Sequence, residues 1–244
     1  MRSSKYRYLI PNAITFISLI CGVFAILATL EGAFIIAGSL ILASYILDLF
    51  DGASARTLNA SSDFGLELDS LVDMVSLGVA PAVLAYGYLQ GINYHIFWAW
   101  LSVAVFVFGG AYRLARFNLL PPKVTGRKES VGLTISAAGA TLALAVLADI
   151  SANRHEYAFV PDWGFVLLMF ALSILMISRI PYPSFSQIAR HKWVAPLSIS
   201  GALLLWYLFS FAQAWFVCNL GYLTISLARA GWQRASGAYG NQQA

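Results

Sequence analysis

Apolar runs long enough to cross a bilayer recur along the whole of this 244-residue chain. A membrane-spanning helix needs about 20 mostly apolar residues, and hydropathy divides the sequence into eight such stretches. Charged residues make up only 11% of the chain and hydrophobic residues 59%, so too little polar surface remains for a soluble domain of this size. The sequence therefore predicts an all-α integral membrane protein, a bundle of about eight transmembrane helices.

The connections between the predicted helices are short, which indicates a single transmembrane domain over residues 1–244. The eight predicted spans cover residues 10–30, 33–57, 67–89, 95–117, 131–149, 161–179, 194–210 and 213–230. The last two are separated only around "SFAQA", so we expect residues 194–230 to form an added helical hairpin. A single bent helix there would reduce the count to seven.

The basic residues predict the orientation of the bundle. An eight-span layout puts both termini and the even-numbered connections on one side, together with fourteen of the fifteen Lys and Arg residues. Only Arg154 falls on the other side. The positive-inside rule makes the basic side, with both termini, cytoplasmic. The net charge of +4 then reflects topology and attraction to membrane lipids, and it does not indicate nucleic-acid binding.

Five aspartates are concentrated between Asp48 and Asp73 of this weakly charged chain. Asp48 and Asp51 are three residues apart near the end of the second predicted span, so they share one helix face. Asp69 and Asp73 are four residues apart in the third span and share a face in the same way. Because the connection is short, these spans are antiparallel neighbours, and we expect the four carboxylates to converge near the cytoplasmic boundary. Asp63 is expected in the loop, solvated or capping a helix.

Converging carboxylates repel one another, and ionisable residues at membrane depth are costly and usually functional. Oxygen-rich clusters suit hard cations such as Mg²⁺, Mn²⁺ or Ca²⁺, and the stretch contains no His or Cys for zinc or copper. Two alternatives remain on this pattern: an ion or proton pathway in a transporter, and helix-end charges that face water. The apolar outer halves of the two spans, "GAFIIAGSLILA" and "GVAPAVLAYGYL", disfavour a pathway.

Small residues and an arginine accompany the acids. Gly52 and Ala55 adjoin the first acidic pair and Gly65 precedes the second, and small side chains let a bulky ligand approach the backbone. Arg56 supplies a fixed cation suited to phosphate. Acids, a metal, an arginine and an open floor together indicate a phosphate-ester site.

The pattern Asp-x2-Asp-Gly-x2-Ala-Arg-x8-Gly-x3-Asp-x3-Asp resembles the signature of the CDP-alcohol phosphotransferase family. All of its fixed positions are present: Asp48, Asp51, Gly52, Ala55, Arg56, Gly65, Asp69 and Asp73. The preceding "PNAIT", residues 11–15, is similar to the family's first-helix motif. Members of this family move a phosphoryl-linked group from a CDP-linked donor to an alcohol and release CMP.

This resemblance implies a role for each matched residue. Asp48, Asp51 and Asp69 are expected to bind two divalent ions, Mg²⁺, Mn²⁺ or Ca²⁺. Asp73 is expected to contact metal and to act as the general base on the acceptor hydroxyl. The residues expected to hold the CDP end of the donor are Asn12, Gly52, Ala55, Arg56, Ser62 and Gly65. Two metals can neutralise a pyrophosphate and stabilise its leaving group, and a nearby carboxylate can take the acceptor's proton.

Three later stretches are similar to segments of the membrane-type phosphatidylserine synthases: "DMVSLGVAPA", "YRLARFN" and "LMISRIPYPSF". They imply CDP-diacylglycerol and L-serine as substrates, at a prokaryotic cell (inner) membrane, and the positive-inside rule makes the site face the cytoplasm. The candidates for binding the acceptor or a phosphate are Arg113, Arg116, Asn118 and Arg179, because arginine suits carboxylate and phosphate. Positive-inside anchoring is the alternative for these arginines. One segment departs from this group, which carries Gly-Leu-Pro-x-Pro where this chain reads "VGLTISAAG".

Several alternatives stay open. Another acceptor (inositol phosphate, glycerol phosphate or choline) or an ether-lipid donor would keep the same chemistry. An ion-coupled transporter is the alternative from a different class of protein. Homodimers are common among proteins of the resembled family, so a homodimer is a candidate assembly.

Overall fold

The computed structural model describes residues 3–57, 62–92, 94–119, 129–153, 158–183 and 210–235. These residues form a helical bundle with a small two-stranded ribbon. The helices are α1 (Ser3–Leu30), α2 (Phe34–Thr57), α3 (Asp63–Asp73), α4 (Ala80–Gly91), α5 (Ile96–Asn118), α6 (Ile135–Asn153), α7 (Asp162–Ile177) and α8 (Phe211–Ala235). A π-helical segment, Met74–Val79, joins α3 to α4, so that Asp63–Gly91 is one continuous helix.

The helices have the length and composition of membrane spans. Within the described ranges, six are long and apolar enough to cross a bilayer: Pro11–Leu30, Phe34–Gly52, Asp63–Gly91, Ile96–Asn118, Ile135–Ala152 and Phe211–Arg229. At about 1.5 Å per residue, α7 is shorter than the hydrocarbon core of about 30 Å. Large apolar side chains such as Phe24, Ile36 and Phe108 are exposed on the outside, where lipid would cover them. The chain is an integral membrane protein.

The centre of the bundle is occupied by α6. In its membrane-crossing segment 78% of the residues are buried, against 28% in α1, α2 and α8. Its many alanines and Gly139 let neighbouring helices approach closely. A Cβ added to Gly139 would collide with the carbonyl oxygen of Leu77 in the π-helical segment. This close contact fixes the third membrane span against α6.

Most predicted spans correspond to observed helices, with boundaries shifted by a few residues. The six-span minimum supports the predicted all-α membrane fold. The predicted span 194–210 lies outside the described residues, so the count of eight and the hairpin over 194–230 stay predictions. The cytoplasmic placement of both termini also stays a prediction.

One predicted boundary is wrong. The span expected from residue 131 becomes helical only at Ile135, because residues 129–131 form a strand, β1 (Glu129–Val131), that pairs antiparallel with β2 (Pro181–Pro183). Gly132 then turns the chain with a φ of +80°, a conformation that glycine adopts without steric cost. The ribbon ties the start of α6 to the segment that follows α7.

Candidate active site

The antiparallel α2 and α3 bring three aspartates together. Carboxylate oxygens of Asp48, Asp51 and Asp69 lie within 4.8 Å of one another. Asp51 is buried, whereas the other two are half-buried. The structure therefore juxtaposes residues that are 21 positions apart in the chain at their extremes, as the helix-face argument predicts.

Asp73 lines a cavity of about 170 Å³ together with two of these acids. It lies one helical turn beyond Asp69 and is buried. The polar wall of the cavity consists of Asp48, Asp69, Ser70, Asp73, Arg113, Asn118 and Ser136, and its apolar wall of Leu66, Leu114 and Phe117. The residue predicted to be the general base thus faces the same space as the acid cluster.

Arg113 is the cation that α5 places against the acids. It is buried, with 8% of its surface exposed, and its charge interacts with those of Asp73, Asp48 and Asp69. Its Cζ atom lies 5.2 Å from the centroid of the Phe117 ring, within the range of a cation–π contact. One guanidinium cannot balance the charge of four carboxylates, so the described part of the site favours a bound cation.

Arg116, one turn further along α5, has different partners. Its guanidinium donates hydrogen bonds to the carbonyl oxygens of Met176, Ile177 and Ser178, at 3.3, 2.7 and 3.1 Å. Carbonyls at a helix C-terminus lack helical partners and carry partial negative charge. A Cβ on Gly132 would lie 2.7 Å from Arg116 Nη2, so this glycine makes room for the guanidinium. Arg116 caps α7, and its predicted contact with an acceptor or phosphate stays a prediction.

Asn118 and Arg179 differ in their relation to the cavity. Asn118 lines it and exchanges hydrogen bonds with Ser70: its Nδ2 lies 3.2 Å from the Ser70 oxygen, and its Oδ1 accepts from the Ser70 hydroxyl at 3.3 Å. This pair links the end of α5 to α3 beside Asp69. Arg179 follows α7 and is exposed, and it is not among the described residues that line the cavity.

Three residues predicted to hold the CDP end of a donor lie together at the start of α3. The Ser62 hydroxyl oxygen caps α3 by accepting a hydrogen bond from the Gly65 N–H at 3.0 Å. A Cβ on Gly65 would stand 3.1 Å from that oxygen and 3.7 Å from Asn12 Oδ1. Glycine therefore keeps the space between α1 and the first turn of α3 open.

The remaining predicted CDP contacts lie at the end of α2. Gly52 follows Asp51 directly, with its backbone close to that carboxylate, while the side chains of Ala55 and Arg56 lie outside what the structure describes. The prediction that Asp63 lies in the loop is wrong. It is the first residue of α3, which Ser62 caps, and it is exposed, as expected of a solvated residue.

Two hydroxyls that the sequence analysis did not assign to the site contact the acids. Thr15 Oγ1 donates to Asp51 Oδ2 at 3.0 Å, and the Ser136 hydroxyl lies in the cavity wall close to Asp48. Thr15 belongs to "PNAIT", so that motif was the available signal. Ser136 lies in "VGLTISAAG", where nothing in the sequence indicates that α6 begins beside Asp48.

The π-helical segment begins directly after Asp73. Such segments insert an extra residue into a turn and are frequent at functional sites. Here the Ser76 hydroxyl donates to the Ser18 carbonyl oxygen at 3.1 Å, and a Cβ on Gly22 would lie 2.6 Å from Ser76 Cα. The segment therefore packs tightly against α1, while Asp73 faces the cavity.

The clustered carboxylates fit a hard divalent cation. Oxygens on opposite sides of one Mg²⁺ are about 4.2 Å apart, twice its usual bond length, and those around Ca²⁺ are about 5 Å apart. Carboxylate oxygens that lie within 4.8 Å of one another suit one such ion, or two ions about 4 Å apart. The cluster consists of aspartates alone, which matches the oxygen preference of Mg²⁺, Mn²⁺ and Ca²⁺.

Comparison with known proteins extends the signature to most of the chain. The model of the CDP-alcohol phosphatidyltransferase family matches residues 8–224. The chain is 37% identical over 195 residues to a CDP-diacylglycerol–serine O-phosphatidyltransferase of Helicobacter pylori, covering 79% of this chain and 78% of that one. It is 35% identical over 183 residues to the Bacillus subtilis protein of the same name, covering 75% and 94%.

An archaeal relative carries a different lipid in its name. The chain is 32% identical over 179 residues to an archaetidylserine synthase of Methanothermobacter thermautotrophicus, covering 71% of this chain and 69% of that one. The names of these three relatives agree on serine and differ in the lipid.

Proposed function

The chain belongs to the CDP-alcohol phosphatidyltransferase family and is a transferase of that type, and we propose that it moves the phosphatidyl group of CDP-diacylglycerol to L-serine. The products would be phosphatidylserine and CMP. The observation that carries this proposal is the cluster of three aspartates beside a cavity that is lined by two of them, Asp48 and Asp69, and by the buried Asp73 and Arg113. The serine acceptor is supported by the names of the relatives.

In the proposed reaction the serine hydroxyl oxygen attacks the phosphorus that bears the diacylglycerol. A new P–O bond forms to serine, and the P–O bond to CMP breaks, so CMP leaves with the bonding electrons. Asp73 accepts the hydroxyl proton as general base. Its position in the cavity wall, shielded from bulk water and beside Arg113, supports this role.

The acid cluster would hold the metal. Asp48, Asp51 and Asp69 are proposed to bind two divalent ions, Mg²⁺, Mn²⁺ or Ca²⁺, with Asp73 as a further contact. When bound, such ions neutralise the pyrophosphate and stabilise the departing CMP. The excess of carboxylates over cations in the described cavity supports this assignment.

The two substrates would bind at different ends of the site. Arg113 lies beside Asp73 and is suited to hold the serine carboxylate while the hydroxyl faces the base. Asn12, Ser62 and Gly65 surround the N-terminus of a 29-residue helix, where backbone N–H groups favour anions. That end of the cluster is proposed to hold the CDP moiety, with Gly52, Ala55 and Arg56 on α2.

We propose that the site faces the cytoplasm in a prokaryotic cell membrane, as the basic residues predict. Arg113 and Arg116 lie at the same end of α5 as the acids, which supports this orientation. A homodimer is the proposed assembly, on the family resemblance alone.

The test is an acceptor panel with CDP-diacylglycerol labelled in the lipid. Purified protein should release CMP and form a labelled serine lipid only when both L-serine and a divalent ion are present. Inositol phosphate, glycerol phosphate and choline serve as competing acceptors in separate reactions. A product with one of these and none with serine would refute the serine assignment and leave the reaction class intact.

A second arm tests the donor and the metal. A higher turnover with an ether-linked CDP donor than with CDP-diacylglycerol would indicate an ether-lipid donor, as in the name of the archaetidylserine synthase relative. Turnover that survives complete chelation of divalent ions would contradict the metal site. Asp69→Asn serves as the inactive comparison for background CMP release.

A further inference from the structure

We propose that Thr15 and Ser136 are positioning residues that hold the two α2 aspartates in the orientation needed to bind metal. The inference rests on the metal site of the proposed function and goes beyond it. It concerns two hydroxyls that lie outside the eight fixed positions of the signature. They reach the cluster from two different helices, α1 and α6, which both pack against α2.

Ser136 lies near Asp48 and does not cap α6. It is the second residue of α6, is buried and lines the cavity. The capping role at this end of α6 belongs to Thr134, whose hydroxyl oxygen accepts from the Ala137 N–H at 3.2 Å. Ser136 instead shares the cavity wall with Asp48, where its hydroxyl is close enough to interact with that carboxylate.

Thr15, on α1, holds Asp51. It is buried, at 5% exposure, and its Oγ1 lies 3.0 Å from Asp51 Oδ2 and 3.0 Å from the Pro11 carbonyl oxygen. A β-branched side chain in a helix has few rotamers. The hydroxyl is therefore held at a fixed point between α1 and the carboxylate.

A hydroxyl on one carboxylate oxygen restricts how the carboxylate can rotate. Asp48 and Asp51 lie on successive turns of α2 with like charges close together, so repulsion would turn them apart. Donors from α1 and α6 counter that tendency and direct the remaining oxygens towards Asp69. Partners of this kind commonly change metal affinity by about 10–100-fold when removed.

The test measures Mn²⁺ binding to the purified full-length chain in detergent, with Mn²⁺ as the only ligand and the loss of its free electron paramagnetic resonance signal as the readout. Ser136→Ala and Thr15→Val should each raise the Kd by about 10-fold. Ser136→Thr and Thr15→Ser keep a hydroxyl and should stay within about threefold of wild type. The isosteric Thr15→Val keeps the test available if Ser136→Ala does not fold.

Matched controls remove a buried hydroxyl elsewhere. Thr141 on α6 donates to the Ala137 carbonyl at 2.7 Å, and Ser173 on α7 donates to the Val105 carbonyl at 2.8 Å. Thr141→Val and Ser173→Ala should lower the melting temperature at most, with the Mn²⁺ Kd unchanged.

The outcomes separate this inference from the proposed function. If the wild-type chain binds Mn²⁺ and both Ser136→Ala and Thr15→Val bind it with the same Kd, the inference alone is overturned, even if those variants melt earlier. A wild-type chain that binds no Mn²⁺ overturns the metal site and this inference with it. Raised Kd values in the two variants and unchanged values in the controls support it.

Discussion

Shielded aspartates lie at both ends of α6, and the protein treats them in opposite ways. Asp149 lies about 20 Å along α6 from Ser136, at 1.5 Å per residue, and is buried. Its Oδ2 accepts from the Tyr88 hydroxyl at 2.6 Å, and its Oδ1 accepts from the N–H groups of Phe159 and Val160 at 2.7 and 2.9 Å. Protein donors satisfy both oxygens of this carboxylate.

The acids at the other end mainly face one another. Among the described residues, Thr15 and Ser136 each hold one carboxylate, and Arg113 supplies the opposing charge. A buried polar group that its own fold satisfies is a structural element, whereas clustered charges in a cavity are typical of functional sites. The comparison teaches that burial alone does not identify a catalytic acid; the identity of its partners does.

The largest effect should come from removing the proposed base. Asp73→Asn keeps the size of the side chain but cannot accept the proton, so turnover should fall by about 10²–10⁴-fold. The melting temperature should stay at or above that of wild type, because one of several repelling charges is lost. The measurement is CMP release with saturating serine, beside a thermal melt. Near-normal turnover would show that Asp73 is not the base.

Asp149→Ala should give the opposite result. It leaves the Tyr88 hydroxyl and two backbone N–H groups without their acceptor, at about 1–3 kcal/mol for each unsatisfied buried group. We expect a loss of unfolding free energy of about 3 kcal/mol, and turnover per folded molecule close to wild type. Asp149→Asn retains one acceptor oxygen, so its unfolding free energy should lie between those of Asp149→Ala and wild type. A variant with normal stability and no turnover would place Asp149 in the chemistry.

The two arginines of α5 should differ in the same way, with smaller effects: Arg113 should affect substrate binding and Arg116 should affect stability. Arg113→Lys loses the planar fork at the cavity and should raise the KM for serine by about 10-fold, with a smaller change in the KM for the lipid. Arg116→Lys loses hydrogen bonds to the end of α7 and should cost about 1–2 kcal/mol of stability. Steady-state kinetics and thermal melts of both variants test this division. Equal effects on both KM values in Arg113→Lys would favour an anchoring role.

The smallest effect should come from an acid that faces outwards. Glu67 lies on α3 between Asp63 and Asp69 and is exposed. Glu67→Gln should change both turnover and Mn²⁺ affinity by less than about twofold, because substitutions on exposed surface rarely matter much. A large loss there would mean that charge on this helix acts through the long-range field and not through contacts.

Much of the site was predictable because it depends on local periodicity. Spacings of three and four residues place Asp48 with Asp51, and Asp69 with Asp73, on single helix faces. A short connection then makes the two helices neighbours. The same argument could not separate Arg113 from Arg116, because residues three apart share a helix face. Which helices pack against that face cannot be predicted from the local sequence.

The sequence by itself determined the membrane class, the approximate spans and the meeting of the acids, since hydropathy and helical period act over short stretches. Tertiary packing decided which residues support those acids. Ser136 lies near Asp48 at the start of α6, just after the β-ribbon and the turn at Gly132, and Arg116 donates to carbonyls at the end of α7. Contacts between distant segments depend on how whole helices pack, and that information is spread over the chain.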